Sequence, residues 1–209
     1  MPEWKSIIDE MQNESNKNND FILSLVDFQI GYAGWCVGTE RYDEAEPYVD
    51  LILSNLEILR DAGYKPSYVE AYQGAIDGLR IGINSFLAIF LGPKVVSKAE
   101  NAIELDSSNP NGYILLANSK YYVWVMLGGS KDEAIEYYRK AETIFEDRKL
   151  RYQSWTYLSL LTIIAQAYVH MEKYDDADKY YRNIIEFEPE YKWIKDEVYP
   201  QFLEKYGKR

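Results

Sequence analysis

The chain has 209 residues, 47% hydrophobic and 27% charged, the composition of an ordinary globular protein rather than a disordered one. Its 34 acidic against 23 basic side chains give a net charge of -11, which opposes binding to nucleic acid or an anionic bilayer. One cysteine and one histidine exclude an intramolecular disulfide framework, a Cys-rich zinc site and a cluster of histidines.

Apolar residues recur at helical spacing nearly throughout, and strand signals are almost absent. A short N-terminal helix precedes a polar joint at 13–19. A first helix pair covers 20–63, with Thr39 as the cap before its second helix and Gly63 as the C-cap that ends it. The second pair, 66–106, opens with a long helix over 67–91 that Gly92-Pro93 breaks. The third, 110–146, has its first helix over 111–127, a break at Gly128-Gly129, and a second helix from Ser130. The fourth occupies 150–189. A last helix over 192–205, kinked or shortened at Pro200, covers the end of the stack. Cys36 falls in an apolar helical stretch and reads as a buried, inert thiol. Gly31 and Gly34 are placed for close helix approach. The most apolar stretches, 86–91 and 158–164, fall short of the ~20 residues of a membrane span. The N-terminus carries no secretory pattern, which gives a cytoplasmic default, or a periplasmic one if a leader has been removed.

The fourth pair contains Leu161-x2-Ile164-Ala165-x2-Tyr168, then Ala177-x3-Tyr181, then Pro189. Leu161, Ile164 and Tyr168 share one helix face. Ala165 and Ala177 are small where two antiparallel helices touch, Tyr181 fills the space toward the next element, and Pro189 stops the second helix. This spacing resembles the tetratricopeptide (TPR) repeat. Ala134-x3-Tyr138-x2-Ala141 fits the second-helix pattern, and Ala45 follows Tyr42-Asp43-Glu44 as Ala177 follows Tyr174-Asp175-Asp176. Ala45 and Ala177 stand 132 residues apart, three steps of 44, against the TPR period of about 34. A narrower resemblance, to a bacterial group of divergent TPR proteins, rests on Gly128-Gly129 followed by Ala134-Ile135. Some members of that group work beside solute transporters or envelope systems. Trp124-Val125-Met126 stands where that group has a proline.

The resemblance implies an all-α, right-handed solenoid of antiparallel helix hairpins, TPR-like, with about four pairs plus terminal capping helices, forming one domain over 1–209. It also implies a binding rather than a catalytic role. No Walker A, Rossmann, G-x-S-x-G or H-E-x-x-H pattern is present. His170 lies near the end of a helix, where a ring nitrogen can bond a last-turn carbonyl. Asp132 and Glu133 occupy the helix N-terminus after Gly128-Gly129 and would repel a phosphate there. No cofactor, metal or catalytic residue is expected.

Aligning Tyr121 with the consensus tyrosine turns Ser119 and Tyr122 toward the concave face, and the same register turns Ser159, Thr162 and Gln166 inward. Tyr72, Arg80 and Asn84 lie within reach of one face of the second pair. The expected groove thus offers hydroxyls, amides, tyrosine and one arginine to a protein or peptide partner. An accessory small-molecule carrier of a bacterial envelope or solute-transport system is the other reading, and it needs an enclosed apolar cavity. A hydrolase would need a pocket around His170 or Cys36. Self-association through Trp4 and Trp35 requires those faces to stay exposed. Neither nucleic acid nor membrane insertion is expected.

Overall fold

The computed structural model describes residues 2–123, 128–148 and 154–207. The expected helical segments at 124–127 and 150–153 lie outside the described residues. Among the described residues there are ten α-helices and no strand: α1 Pro2–Asn13, α2 Asn19–Gly38, α3 Tyr42–Asp61, α4 Pro66–Ile83, α5 Ala88–Leu105, α6 Pro110–Tyr121, α7 Lys131–Asp147, α8 Trp155–His170, α9 Tyr174–Phe187 and α10 Tyr199–Tyr206. The fold is all-α, built on antiparallel helix hairpins. Two compact units result, Met1–Ser119 and Lys120–Arg209, and their boundary falls inside the expected third pair.

In the first unit α2 pairs with α3 and α4 with α5, while α1 packs on α2. Leu25, Val26, Ile52, Leu56, Leu59 and Ile76 are fully buried between them. By length and composition α2 could cross a bilayer, more than the sequence reading allowed, yet half of its apolar window is buried in this core. Cys36 is inside the same core, and burial pushes its thiol up. Trp4 and Trp35 are partly buried against it, so the faces expected for self-association are taken up internally. One polar group is built in. Gln29, with no exposed surface, donates from its amide to Gln12 Oε1 at 3.0 Å and accepts from Asn55 Nδ2 at 3.0 Å.

A second polar clamp gathers three helix ends. Buried Asn109 donates to Ser67 Oγ at 2.8 Å, and Ser67 Oγ donates to the Ala102 carbonyl at 2.8 Å. This ties the start of α4 to the end of α5 and the loop before α6. Gly112 lets α6 approach α5: a Cβ there would stand 2.9 Å from Ile103 Cγ1. Gly34, expected at a close helix contact, is exposed with open space beside it.

The turns explain where the helices end. Gly63 ends α3 in the left-handed conformation, φ 61°, and the Tyr64 amide returns to the Leu59 carbonyl at 2.9 Å. Thr39, expected as an N-cap, instead closes α2, its hydroxyl donating to the Trp35 carbonyl at 2.9 Å. The long helix expected over 67–91 stops at Ile83. Asn84 leaves the helix with φ -137° and its side chain accepts the Phe86 amide, whereas Pro93 is carried inside α5. A side-chain cap therefore breaks the run, and the proline does not. The expected helix over 192–205 is a π-helical turn, Trp193–Val198, continuous with α10. Pro200 falls at the second residue of α10, just after the π-helical turn.

The α2–α3 and α8–α9 hairpins close by the same turn. In the first, the amides of Thr39, Glu40 and Arg41 bond the carbonyls of Trp35, Val37 and Cys36. In the second, those of Met171, Glu172 and Lys173 bond Ala167, Val169 and Tyr168. Glu40 and Glu172 both take the left-handed conformation, φ 60° and 58°. Every partner is displaced by the 132 residues that separate Ala45 from Ala177.

In the second unit α8 packs on α9 and on α7. Ala165, Ala177, Leu161 and Ile164 are fully buried, and Tyr168 and Tyr181 nearly so. Tyr181 fills the gap to the last helix, with ring centroids 5.2 Å from Phe202 and 5.8 Å from Tyr199. Ser130 caps α7 by accepting the Glu133 amide, and Ser154 caps α8 by accepting that of Tyr157.

Two stability predictions come from this packing. Gln29→Ala strands the Asn55 amide in the core and should lower stability by about 2–3 kcal/mol in urea unfolding. Half-buried Glu142 accepts from Tyr180 Oη at 2.7 Å, and desolvation holds its carboxyl above the ordinary glutamate range. The folded state therefore binds its proton more tightly than the unfolded chain. That contribution is complete below the ordinary glutamate pKa and is lost as pH rises through the raised value. Glu142→Gln should match wild type near pH 4 and unfold at higher temperature than wild type at pH 7.

Candidate functional site

The two units hold different parts of the expected groove. Tyr72, Arg80, Asn84 and Ser119 belong to the first unit, Tyr122, Ser159, Thr162 and Gln166 to the second.

In the first unit the expected residues do not form one open face. Tyr72 is buried, donating to Asp27 Oδ1 at 2.7 Å and accepting from Asn111 Nδ2 at 3.2 Å. Burial and the Asp27 charge hold its phenol well above the ordinary tyrosine value, so it stays a neutral donor linking α2, α4 and α6. Arg80 is half-buried and pairs with Asp77 at 3.7 Å. Asn84 is exposed but serves as the cap after α4. Ser119 turns its hydroxyl back to the Leu116 carbonyl at 2.7 Å.

The second unit does bring expected residues together. Along α8, Trp155, Ser159, Ile163, Gln166 and His170 are half-buried or exposed, while the flanking Leu160, Leu161, Ile164, Ala165 and Ala167 are buried. Their spacing of three and four places them on one strip, roughly 22 Å long at 1.5 Å per residue. Ser159, exposed, and Gln166, half-buried, therefore share one face. Thr162 sits at its edge and is buried, its hydroxyl donating to the Leu158 carbonyl at 2.8 Å.

The strip ends in aromatic rings. Tyr121 stacks on His170 with centroids 6.0 Å apart and planes at 16°, its hydroxyl within hydrogen-bond distance of His170 Nδ1. Tyr122 meets Tyr121 edge-on at 4.9 Å and keeps its own side chain 67% exposed. Burial pushes the Tyr121 phenol up to about 12. His170 thus bonds a tyrosine rather than a last-turn carbonyl; the Met171, Glu172 and Lys173 amides already satisfy those carbonyls. Ile163 was not named in the sequence reading, and His170 was read there only as a helix-end residue, although the steps from Ser159 and Gln166 to each are those of one helix face.

A shallow hollow of about 200 Å³ is lined by Glu40, Arg41, Tyr42, Asp43 and Glu44. It is charged, and so is unlike the enclosed apolar cavity a carrier needs. No group of three or more metal-ligating side chains occurs among the described residues.

Residues 158–191, spanning most of α8, all of α9 and the turn after it, match the family model for the tetratricopeptide repeat. The fold is TPR-like. Among solved structures, the HusA haemophore from Porphyromonas gingivalis superposes with a TM-score of 0.65 at 17% identity, over 80% of this chain and 85% of that one. That likeness is one of fold. No curated protein matches the sequence.

The two expected tyrosines part company in their predicted effects. Tyr72→Phe keeps the ring but removes the hydroxyl from Asp27 and Asn111, and should cost about 1–3 kcal/mol of stability in urea unfolding. Tyr122→Phe should leave stability unchanged in the same measurement.

Proposed function

We propose that the chain is a non-enzymatic interaction module that holds an extended segment of a protein partner along the open face of α8. The observation that carries this reading is the strip Ser159–Ile163–Gln166–His170, exposed at Ser159 and His170 and half-buried at Ile163 and Gln166, which Tyr121 and Tyr122 close at one end. Among the described residues Ser159 and Gln166 have no protein hydrogen-bond partner, so their polar groups are free for a ligand backbone. Ile163 supplies apolar contact between them, and Tyr122 supplies a large, rigid surface at low entropic cost. The repeat match over 158–191 supports the same direction, since TPR repeats commonly hold protein segments.

The test starts from peptides selected on the whole chain by phage display and measured by calorimetry. Gln166→Ala and Tyr122→Ala should each weaken binding by about tenfold or more. Glu136→Ala, on an exposed position of α7, should leave it unchanged. Undiminished affinity in both α8-face variants would overturn the assignment.

A second reading, carriage of a flat apolar small molecule for an envelope or transport system, is supported by the likeness to a haemophore and by the exposed His170 beside Tyr121. Haemin titration separates the two. A bound Soret band that His170→Ala shifts or abolishes favours carriage, and an unchanged free-haemin spectrum excludes it for haem.

A further inference from the structure

The most exposed apolar side chains described in the molecule lie far from α8 in sequence, on the turn that joins α4 to α5. Phe86, Ile89 and Phe90 are 86%, 79% and 72% exposed, and no charged residue occurs from Ile81 to Pro93. We propose that this turn inserts into the surface of a lipid bilayer and tethers the protein to it.

Three observations choose lipid over another occupant. The first is the backbone. Hydrocarbon accepts a polypeptide only when its polar groups are internally paired. At this turn the Phe86 amide donates to Asn84 Oδ1 at 3.2 Å, the Leu87 amide to the Asn84 carbonyl at 3.1 Å, and the Ala88 amide to the Ser85 carbonyl. Three consecutive N–H groups of the tip thus enter already satisfied. The second is composition. The chain has 20 tyrosines and seven phenylalanines, yet the turn carries two phenylalanines and no tyrosine. The hot spots of protein-docking surfaces favour Tyr, Trp and Arg, each with a polar handle on an apolar body. Three side chains without any polar atom suit hydrocarbon better. The third is area. Phe86, Ile89 and Phe90 could together bury at most ~450 Å² on one copy, short of the ~800 Å² per partner of a standard interface. Two copies meeting tip to tip therefore fall below a stable dimer, whereas a bilayer needs no matching shape.

Charge defines the kind of attachment. Lys94 is exposed just beyond the apolar run, and Arg80 lies before it, paired with Asp77. The end of α2 lies alongside, with Val37 against Gly82, and the loop that follows carries Glu40, Asp43 and Glu44. The flank is thus mixed in sign. Attachment draws on apolar transfer, is opposed at anionic headgroups by the net charge of -11, and resembles a single acyl anchor in strength, with a partition constant on the order of 10⁴ M⁻¹.

The experiment uses the full chain with sucrose-loaded phosphatidylcholine vesicles, with and without phosphatidylglycerol. Wild type should sediment with the phosphatidylcholine vesicles and less with those containing phosphatidylglycerol, a difference that salt narrows, and the combined variant Phe86→Ser, Ile89→Ser, Phe90→Ser should lose at least tenfold in bound fraction while melting at the wild-type temperature. Phe90→Trp supplies a probe read as the difference from wild type, whose five tryptophans form the background: the added emission should shift to the blue on binding and be quenched by brominated acyl chains. A wild-type protein that stays in the supernatant overturns the proposal. So does vesicle binding with an unquenched indole. A wild-type dimer in ultracentrifugation that the triple substitution dissociates assigns the turn to a second copy and overturns it as well.

Discussion

Everything in this molecule depends on antiparallel helices approaching closely enough to bury one another, and small residues set that distance. Ala33, Ala45, Ala99, Ala102, Ala117, Ala134, Ala141, Ala165, Ala167 and Ala177 have no exposed surface. At such positions the backbones meet, and larger neighbours such as Leu25, Ile52, Ile164 and Tyr138 fill the space on either side. A hairpin built this way buries one stripe per helix and leaves another uncovered. The uncovered stripes are the source of both functional readings.

Those two surfaces differ in chemistry as they differ in place. The α8 strip alternates hydroxyl, aliphatic and amide groups and ends in tyrosines, a composition suited to hydrogen-bonded, oriented recognition. The α4–α5 turn presents Phe86, Ile89 and Phe90, with three of its amides already paired, and offers burial without direction. Polar groups that the fold does not expose are consumed internally. Gln29, Asn55, Asn109 and Tyr72 all close buried networks across helices.

How much of this the sequence displays varies by element. The fourth pair was legible because the sizes of Ala165, Ala177 and Tyr181 encode contacts directly, and a match at 158–191 agrees with it. The register also placed Ser159 and Gln166 together, since helical spacing fixes which residues share a face. It misplaced Thr162, which lies at the margin of that face and bonds its own helix. Tyr72 was illegible for a different reason. Its partners Asp27 and Asn111 are 45 and 39 residues away, and periodicity carries no information about buried polar pairing at that range. The end of α4 was misread because proline is the more conspicuous breaker, yet Asn84, through its side-chain cap, performs the break. The run 86–91 was visible as apolar, but apolar runs at helical spacing normally mark a core, and only the three-dimensional position shows it outside.

The shared turn at the two ends of the chain bears on how the molecule assembles itself. Each turn closes over six residues, at 36–41 and at 168–173, through the same local backbone bonds, with no distant partner required. Contacts so local carry little loop-closure cost. The chain therefore has two separate places to begin folding, one in each compact unit, and either can form while the other is still unstructured. A chain emerging from synthesis can settle its first hairpin long before the residues of its last exist.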